Sequence, residues 1–381
     1  MAVTWPPGIL SAGVACGIKR GGVPDLGVIV ADDDMAWAGT FTKNAAAAAG
    51  VVWSRGLLGK QVRALVVNSG NANACTGAQG AAAVETTAQE TARIVGCKPQ
   101  QVLIASTGPI GIQLPVDLVM EGLPRAVAEL SEDPGTFARS ILTTDTVSKT
   151  SSIRLGNASI VGVAKGAAML APSMATMLAY VVTDAAMAAP LLQAGLEEAV
   201  ARSFDCICVD ACESTNDSVF LLATGSAGPV DPDLFAKGLQ EVCSDLAEQI
   251  VRDAEGATRF LRLRVSGATD DHAARALGRA IAASALWRAA VHGSDPNWGR
   301  VLAALGAADR TLDPTTVELR IGQEIVYTHG EPTESLEGAR RAMAQGDIVL
   351  ACDVGDGPGR SEVLTTDLSP DYVNLNAHGT T

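Results

Sequence analysis

The chain has 381 residues, 48% of them hydrophobic but only 4% aromatic, and carries a formal net charge of −14. That length allows one large or two to three ordinary domains with a sizeable core, filled mainly by Ala, Val, Leu and Ile. The acidic balance and the lack of a basic run exclude a nucleic-acid-binding surface, because phosphate backbones are held by clustered Lys and Arg.

Eight scattered cysteines in a chain too large to need disulfide staples, with no secretory signal ahead of them, place it in a reducing cytoplasm. In chain order, short apolar strands are predicted at 27–31, 63–70 and 101–107. An Ala-rich helix is predicted over 78–95, where Gly96 ends it, and a second over 116–130. Residues 166–183 carry no charge and approach the length of a membrane span. Pro172, Ser173 and Thr176 interrupt the run and Lys165 and Asp184 bound it, so it reads as a buried turn and strand.

Beyond 184, helices are predicted at 187–203, 233–253 and 271–290, alternating with strands at 218–225, 259–267 and 316–322. Loops fall near 229–232, 311–315 and 355–360. The fold class is therefore α/β or α+β with layered sheets. Residues 1–175 hold 13 basic and 12 acidic side chains and residues 176–381 hold 15 and 30, so the two parts differ in sign.

The stretch 161–185 is apolar apart from Lys165, a proline and a Thr at 176. On the residues alone, a core strand explains it as well as a reactive segment does. Its Met-Ala-Thr-Met-Leu run, however, follows SAGVACGIK (11–19), VVNSGNANACTG (66–77), ASTGPIG (105–111) and TTDT (143–146). It precedes ESTND (213–217), VHGSDPNWGR (291–300) and YVNLNAHGTT (372–381). In this order the set resembles the ornithine acetyltransferase (glutamate N-acetyltransferase) family.

The resemblance implies an N-terminal-nucleophile-like α/β sandwich that cuts itself between Ala175 and Thr176. The fragments, 1–175 and 176–381, would stay together as an α2β2 assembly. Thr176 would be the nucleophile that moves acetyl from N-acetylornithine to glutamate. Thr107 and Gly108 would stabilise the oxyanion, and Thr143, Lys165, Thr176, Glu255, Asn376 and Thr381 would bind substrate, with Thr144 close behind Thr143. No metal or cofactor is implied, and use of acetyl-CoA as a co-substrate stays open.

The chemistry suits a threonine. A hydroxyl needs a base, and a freed α-amino group, with an intrinsic pKa of about 7.7–8.0, supplies one on the same residue. Each assignment has a plainer counterpart: a strand-ending turn at Thr107-Gly108, a Lys165 snorkelling from a strand end, a helix-terminal surface Glu255. The rival functions are an amidohydrolase or aminopeptidase on the same scaffold, and an amino-acid-binding relative that never cuts itself.

Three departures from the family pattern stand out: Ala168 where glycine is usual, Asp210-Ala211-Cys212-Glu213 for Asp-Gly-Asp-Thr, and Gly379 for an aromatic. Cys206 and Cys208, with Cys212 nearby, lack the second pair that a zinc site requires and read as alternating strand residues. GNANACTG and GDGPGR match neither nucleotide-binding glycine pattern, and Trp298 reads as a loop residue plugging the core.

Overall fold

The computed structural model describes residues 3–170 and 177–378. Its first sheet contains β1 (Ile9–Val14), β2 (Leu26–Phe41), β3 (Val62–Ser69), β4 (Val102–Thr107), β5 (Lys149–Leu155), β6 (Ala158–Lys165), β7 (Leu178–Ala186) and β8 (Ser218–Pro229). The order is β4-β3-β2-β8-β7-β6-β5, with β1 also paired to β2.

The long strand β2 joins two halves of this sheet. Its first part pairs with β1 and β3, its last part with β8, and the register breaks between Val30 and Met35, where three aspartates are exposed. The predicted strand at 27–31 is thus only the beginning of a bent one, because Asp32, Asp33 and Asp34 conceal the continuity of a strand that changes partners at an irregularity.

Alternation along each strand then sorts side chains into layers. Leu65, Val67, Leu103 and Ala105 from one half meet Tyr180, Val182, Phe220 and Leu222 from the other in a shared core. The scarce aromatics concentrate here: Tyr180 stacks on Phe220 at 5.7 Å, and Phe137 meets the tyrosine edge-on at 5.0 Å.

Four helices accompany the first half: α1 (Ala49–Arg55), α2 (Gly77–Val95), α3 (Val116–Ala128) and α4 (Gly135–Ser140). Ala64, Val66, Val102 and Ile104 face α2 and α3. The outer residues of the second half, such as Val181 and Leu221, face α5 (Ala189–Ala201) and α6 (Pro232–Arg252). The result is an α/β/β/α sandwich.

A second sheet, ordered β12-β11-β10-β13-β9-β14, is built from β9 (Phe260–Gly267), β10 (Glu318–Ile321), β11 (Glu324–Thr328), β12 (Glu331–Pro332), β13 (Asp347–Asp353) and β14 (Gly357–Thr366). It shares a core with α7 (Asp271–Ala283), α8 (Ala285–His292), α9 (Trp298–Ala308) and α10 (Leu336–Met343). Phe260 and Leu364 join it to the α6 layer. A last helix, α11 (Pro370–His378), follows β14.

The helix expected over 271–290 is two helices, because Ser284 leaves helical geometry and accepts a hydrogen bond from the Trp287 N–H to start α8. Cys206 and Cys208 do not alternate on a strand: Cys206 ends a short 3-10 turn, and Ile207 makes an isolated bridge to Leu364. Trp298 opens α9 and stacks on Tyr327 at 5.0 Å. Part of the expected loop at 355–360 already belongs to β14. Among the described residues no helix is long and apolar enough to cross a membrane.

Strands β7 and β8, which lie after residue 176, sit between β2 and β6, which lie before it. The stretches on either side of 171–176 are therefore built into one sheet.

Candidate active site

Strand β4 delivers Thr107 to its end, where the Thr107 carbonyl accepts the Asn71 N–H at 3.1 Å. Gly108 follows with φ +138°, and a Cβ there would lie 2.4 Å from the Asn71 nitrogen. The glycine is thus required by the close approach of two backbone segments, more than a flexible turn would demand. Both residues line a cavity of about 530 Å³, together with Thr143, Thr144 and Lys165.

Lys165 ends β6 and lies opposite Leu178 in the antiparallel β6–β7 register, so it flanks the chain two residues downstream of position 176. It is 1% exposed, which rules out snorkelling. Its Nζ donates to Thr143 Oγ1 at 2.7 Å and to Thr107 Oγ1 at 3.4 Å. Burial lowers its pKa and nearby Asp145 opposes that shift. Asp145 Oδ2 is 3.8 Å away, and its Oδ1 accepts the Gly166 N–H at 2.6 Å.

A second cavity of about 580 Å³ adjoins the first, and Thr144 lines both. Glu255 lies here, just past the end of α6. Its backbone N–H donates to the Ala167 carbonyl at 2.9 Å, and its Oε2 accepts from Asn376 Nδ2 at 3.0 Å. Its Oε1 is buried without a hydrogen-bond partner among the described residues. This is no plain surface glutamate, because a buried carboxylate oxygen calls for a donor. A Cβ on Gly256 would come within 2.3 Å of the Tyr372 nitrogen, so α11 is docked tightly against this corner.

Thr107, Gly108, Thr143 and Lys165 therefore share one cavity, and Glu255 and Asn376 share the next. Ala175, Thr176 and Thr381 lie outside the described residues. Size alone does not locate the site: a larger cavity of about 870 Å³, beside Cys206, Arg264 and Asp353, is lined by none of the expected residues that are among the described ones.

Several polar residues to which the resemblance assigns no role build this region, two of them within the ESTND motif. Asn216 donates to the Ala72 and Ser106 carbonyls at 2.7 and 2.8 Å, tying the start of β8 to the end of β4. Asp217 Oδ1 accepts the Met177 N–H at 3.1 Å, and burial raises the Asp217 pKa well above the carboxylate range. Lys149 is fully buried between Asp145 and Asp253. A lone lysine in the otherwise uncharged VSKTSSI was the available signal; Asp145 lies four residues before it, a spacing that brings side chains together only in a helix, and Asp253 is 104 residues away.

Ala168 is not among the residues with positive φ, so the methyl group there meets no backbone penalty. Met169 and Ala211 take positive φ instead, at +56° and +57°.

The layered sandwich and its paired cavities, lined by hydroxyls, buried lysine and an orphaned carboxylate, define an α/β enzyme acting on small polar molecules. The ArgJ family model matches residues 10–381, and the chain belongs to that family. It is 42% identical over 383 residues to the arginine biosynthesis bifunctional protein ArgJ of Thermus thermophilus, spanning the full length of both chains. The Thermobifida fusca protein of the same name is 42% identical over 381 residues, covering 99% of each. The crystal structure of arginine biosynthesis bifunctional protein argJ from Bacillus halodurans is similar at 34% identity and a TM-score of 0.51; the match covers 52% of this chain and 98% of that one. The chain is an acyltransferase of arginine biosynthesis.

Proposed function

We propose that the chain transfers the acetyl group of N2-acetyl-L-ornithine to the amine of L-glutamate through an acetyl ester on Thr176, after cutting itself between Ala175 and Thr176. The observation that carries this reading is the buried Lys165, 2.7 Å from Thr143 Oγ1 and 3.4 Å from Thr107 Oγ1, in one cavity with Gly108 and beside the strand that follows position 176.

Cleavage begins when Thr176 Oγ attacks the Ala175 carbonyl. The C–N bond breaks in favour of an ester, and water releases the Ala175 carboxylate and a free Thr176 amine. In turnover that amine takes the hydroxyl proton while Oγ attacks the acetyl carbon. Thr107 Oγ1 and the Gly108 N–H receive the oxyanion, the acetyl C–N bond breaks, and ornithine leaves with the proton. Glutamate's neutral amine then attacks the ester, the C–O bond breaks, and the proton returns to Oγ.

Lys165 adds positive charge that keeps the Thr176 amine neutral and able to act as base. Glu255 Oε1 receives the ornithine side-chain ammonium, with Asn376 holding the other oxygen, and the family resemblance adds Thr381 as a further substrate contact. The reaction needs no cofactor, and acetyl-CoA enters only as an alternative acetyl donor. The cut fragments remain joined because β7 and β8 are inserted between β2 and β6. That a solved chain of the family matches only 52% of this one over 98% of its own length is what one cut fragment would give. The fragments pair as α2β2 in the cytoplasm.

The test is Thr176→Ala. The wild type should give two bands on a denaturing gel, 1–175 and 176–381, and should form N-acetylglutamate far faster than free acetate. The variant should remain one chain without transfer. An intact wild-type chain with full turnover overturns the reading.

A further inference from the structure

In a ping-pong transfer, donor and acceptor present their α-nitrogen to the same acetyl carbon, yet their side chains end in opposite charges, an ammonium in ornithine and a carboxylate in glutamate. One pocket cannot complement both. Resting on the reading above, we propose that the two side chains take different cavities, and that Lys19 and Arg20 bind the side-chain carboxylate of the acceptor.

The Glu255 cavity suits the ammonium alone. Its lining cation, Arg252, is already held by Glu248 and Asp347 at 2.8 and 2.7 Å. A glutamate side chain placed there would meet the Glu255 oxygen that has no partner, and no free positive charge, among the described residues.

The adjoining cavity is the reverse. Lys19, Arg20 and Lys165 line it, and among the described residues its lining includes no Asp or Glu. Lys19 is a built feature and not a loose surface lysine. Asp25 fixes the turn that carries it by accepting the N–H groups of Cys16, Gly17 and Lys19 at 2.6, 3.1 and 2.8 Å.

The Lys19 stem lies across Gly70, where an added Cβ would come within 2.7 Å of Lys19 Cγ. Its Nζ donates to the Leu142 carbonyl at 3.0 Å, which leaves two of three N–H donors for a ligand. Burial lowers the Lys19 pKa; Asp25 resists, and the charge of Lys165 lowers it further. Two ammoniums that repel one another across a cavity are both relieved by an anion between them. Arg20 is exposed at the mouth and makes no ion pair among the described residues.

Glutamine, the neutral near-isostere of glutamate, reads this assignment directly. With wild-type acetyl transfer from N-acetylornithine first established, kcat/KM is measured for glutamate and for glutamine in wild type, Arg20→Gln, Lys19→Met and Lys19→Arg. Removing one charge-assisted contact should raise the glutamate KM on the order of tenfold and shrink the preference for glutamate over glutamine by a similar factor. The KM for N-acetylornithine should move much less, and Lys19→Arg should restore most of the preference.

Glu255→Gln should show the opposite pattern, raising the N-acetylornithine KM more than that of glutamate. An unchanged glutamate-to-glutamine ratio in both Arg20→Gln and Lys19→Met overturns the proposal, as does an equal rise in both KM values, which would assign these residues to the shared α-carboxylate. Absence of transfer in the wild type would instead overturn the functional reading on which the proposal rests.

Discussion

Lys149 Nζ stands 2.7 Å from Asp145 Oδ1 and 2.6 Å from Asp253 Oδ2, and its side chain is wholly buried. The three residues come from the loop before β5, the start of β5 and the end of α6, so the contact locks α6 to the 143–146 loop between the two cavities. Asp145 also accepts the Thr143 N–H at 3.1 Å and the Gly166 N–H at 2.6 Å. One carboxylate thereby sets both Thr143 and the end of the strand that carries Lys165.

Removing that charge should be costly. Asp145→Asn leaves buried Lys149 with Asp253 alone and buried Lys165 with no ion pair among the described residues, and breaking a buried pair this way typically costs about 3–5 kcal/mol. Burial pushes the Asp145 pKa up, but Lys165, Lys149 and the Gly166 N–H outweigh it and hold the group well below the usual carboxylate range. A depressed folded-state pKa gives stability that is present above the unfolded carboxylate value near ~3.9 and is lost as pH falls towards the folded one. Urea midpoints should therefore drop between pH 6 and pH 3 in the wild type, and drop less from an already lower start in Asp145→Asn. Equal slopes would show that Asp145 is not the linked group.

Gly108→Ala places a methyl group 2.4 Å from the Asn71 nitrogen and 2.6 Å from the Gly70 carbonyl carbon, at a φ of +138° that side chains rarely adopt. Backbone sets the clash, so it cannot be relieved by a rotamer change. Moving the Gly108 N–H should cost what loss of one oxyanion donor costs, roughly 10²–10³ in kcat, with some fall in stability as well. A single-turnover assay of acetyl-enzyme formation checks the first effect and a thermal melt the second. Wild-type acylation in a folded variant would remove Gly108 from the oxyanion site.

What the sequence disclosed follows from the range of the forces involved. Strands at 63–70, 101–107 and 218–225 were readable because alternation and β-branched residues are local properties. The sixteen-residue β2 was not, because its three exposed aspartates mimic a loop while its continuity depends on partners in two halves of a sheet. Lys165 stands out in the sequence as a charge in apolar surroundings. Asp145 was hidden, since a buried aspartate between two threonines looks like a turn until Lys149 and Asp253 are seen to enclose it. The resemblance supplied Thr107, Gly108, Glu255 and Asn376, and only the folded chain divides them between two cavities.

Lys165 should leave a mark on the pH profile. Burial lowers its pKa from the ordinary 10.5 and Asp145 only partly offsets this, so the ammonium loses its proton at a lower pH than an exposed lysine. If the charged form supports catalysis, kcat/KM should fall on the alkaline side before pH 10.5 is reached. Lys165→Arg, which stays protonated throughout, should retain reduced activity but move that limb upward. An alkaline limb at the same pH in both proteins would assign it to another group.

Ala211 occupies the left-handed region at φ +57°, in the position where the family pattern has glycine. A side chain there costs roughly 1–2 kcal/mol, whereas glycine costs about 0.4–1 kcal/mol through the greater freedom of the unfolded chain. Ala211→Gly should therefore stabilise the protein by about 0.5–1 kcal/mol, seen as a rise in the denaturant midpoint at constant slope. The strain is held in place by its neighbours: Asp210 Oδ2 accepts the Met169 N–H at 2.6 Å, and the Val209 N–H donates to the Leu170 carbonyl at 2.6 Å. These bonds clamp the chain just ahead of residues 171–176, and Asp210→Asn should weaken them and lower the same midpoint. A neutral or destabilising Ala211→Gly would mean that the turn relaxes out of the left-handed region in solution and that the clamp does not depend on it.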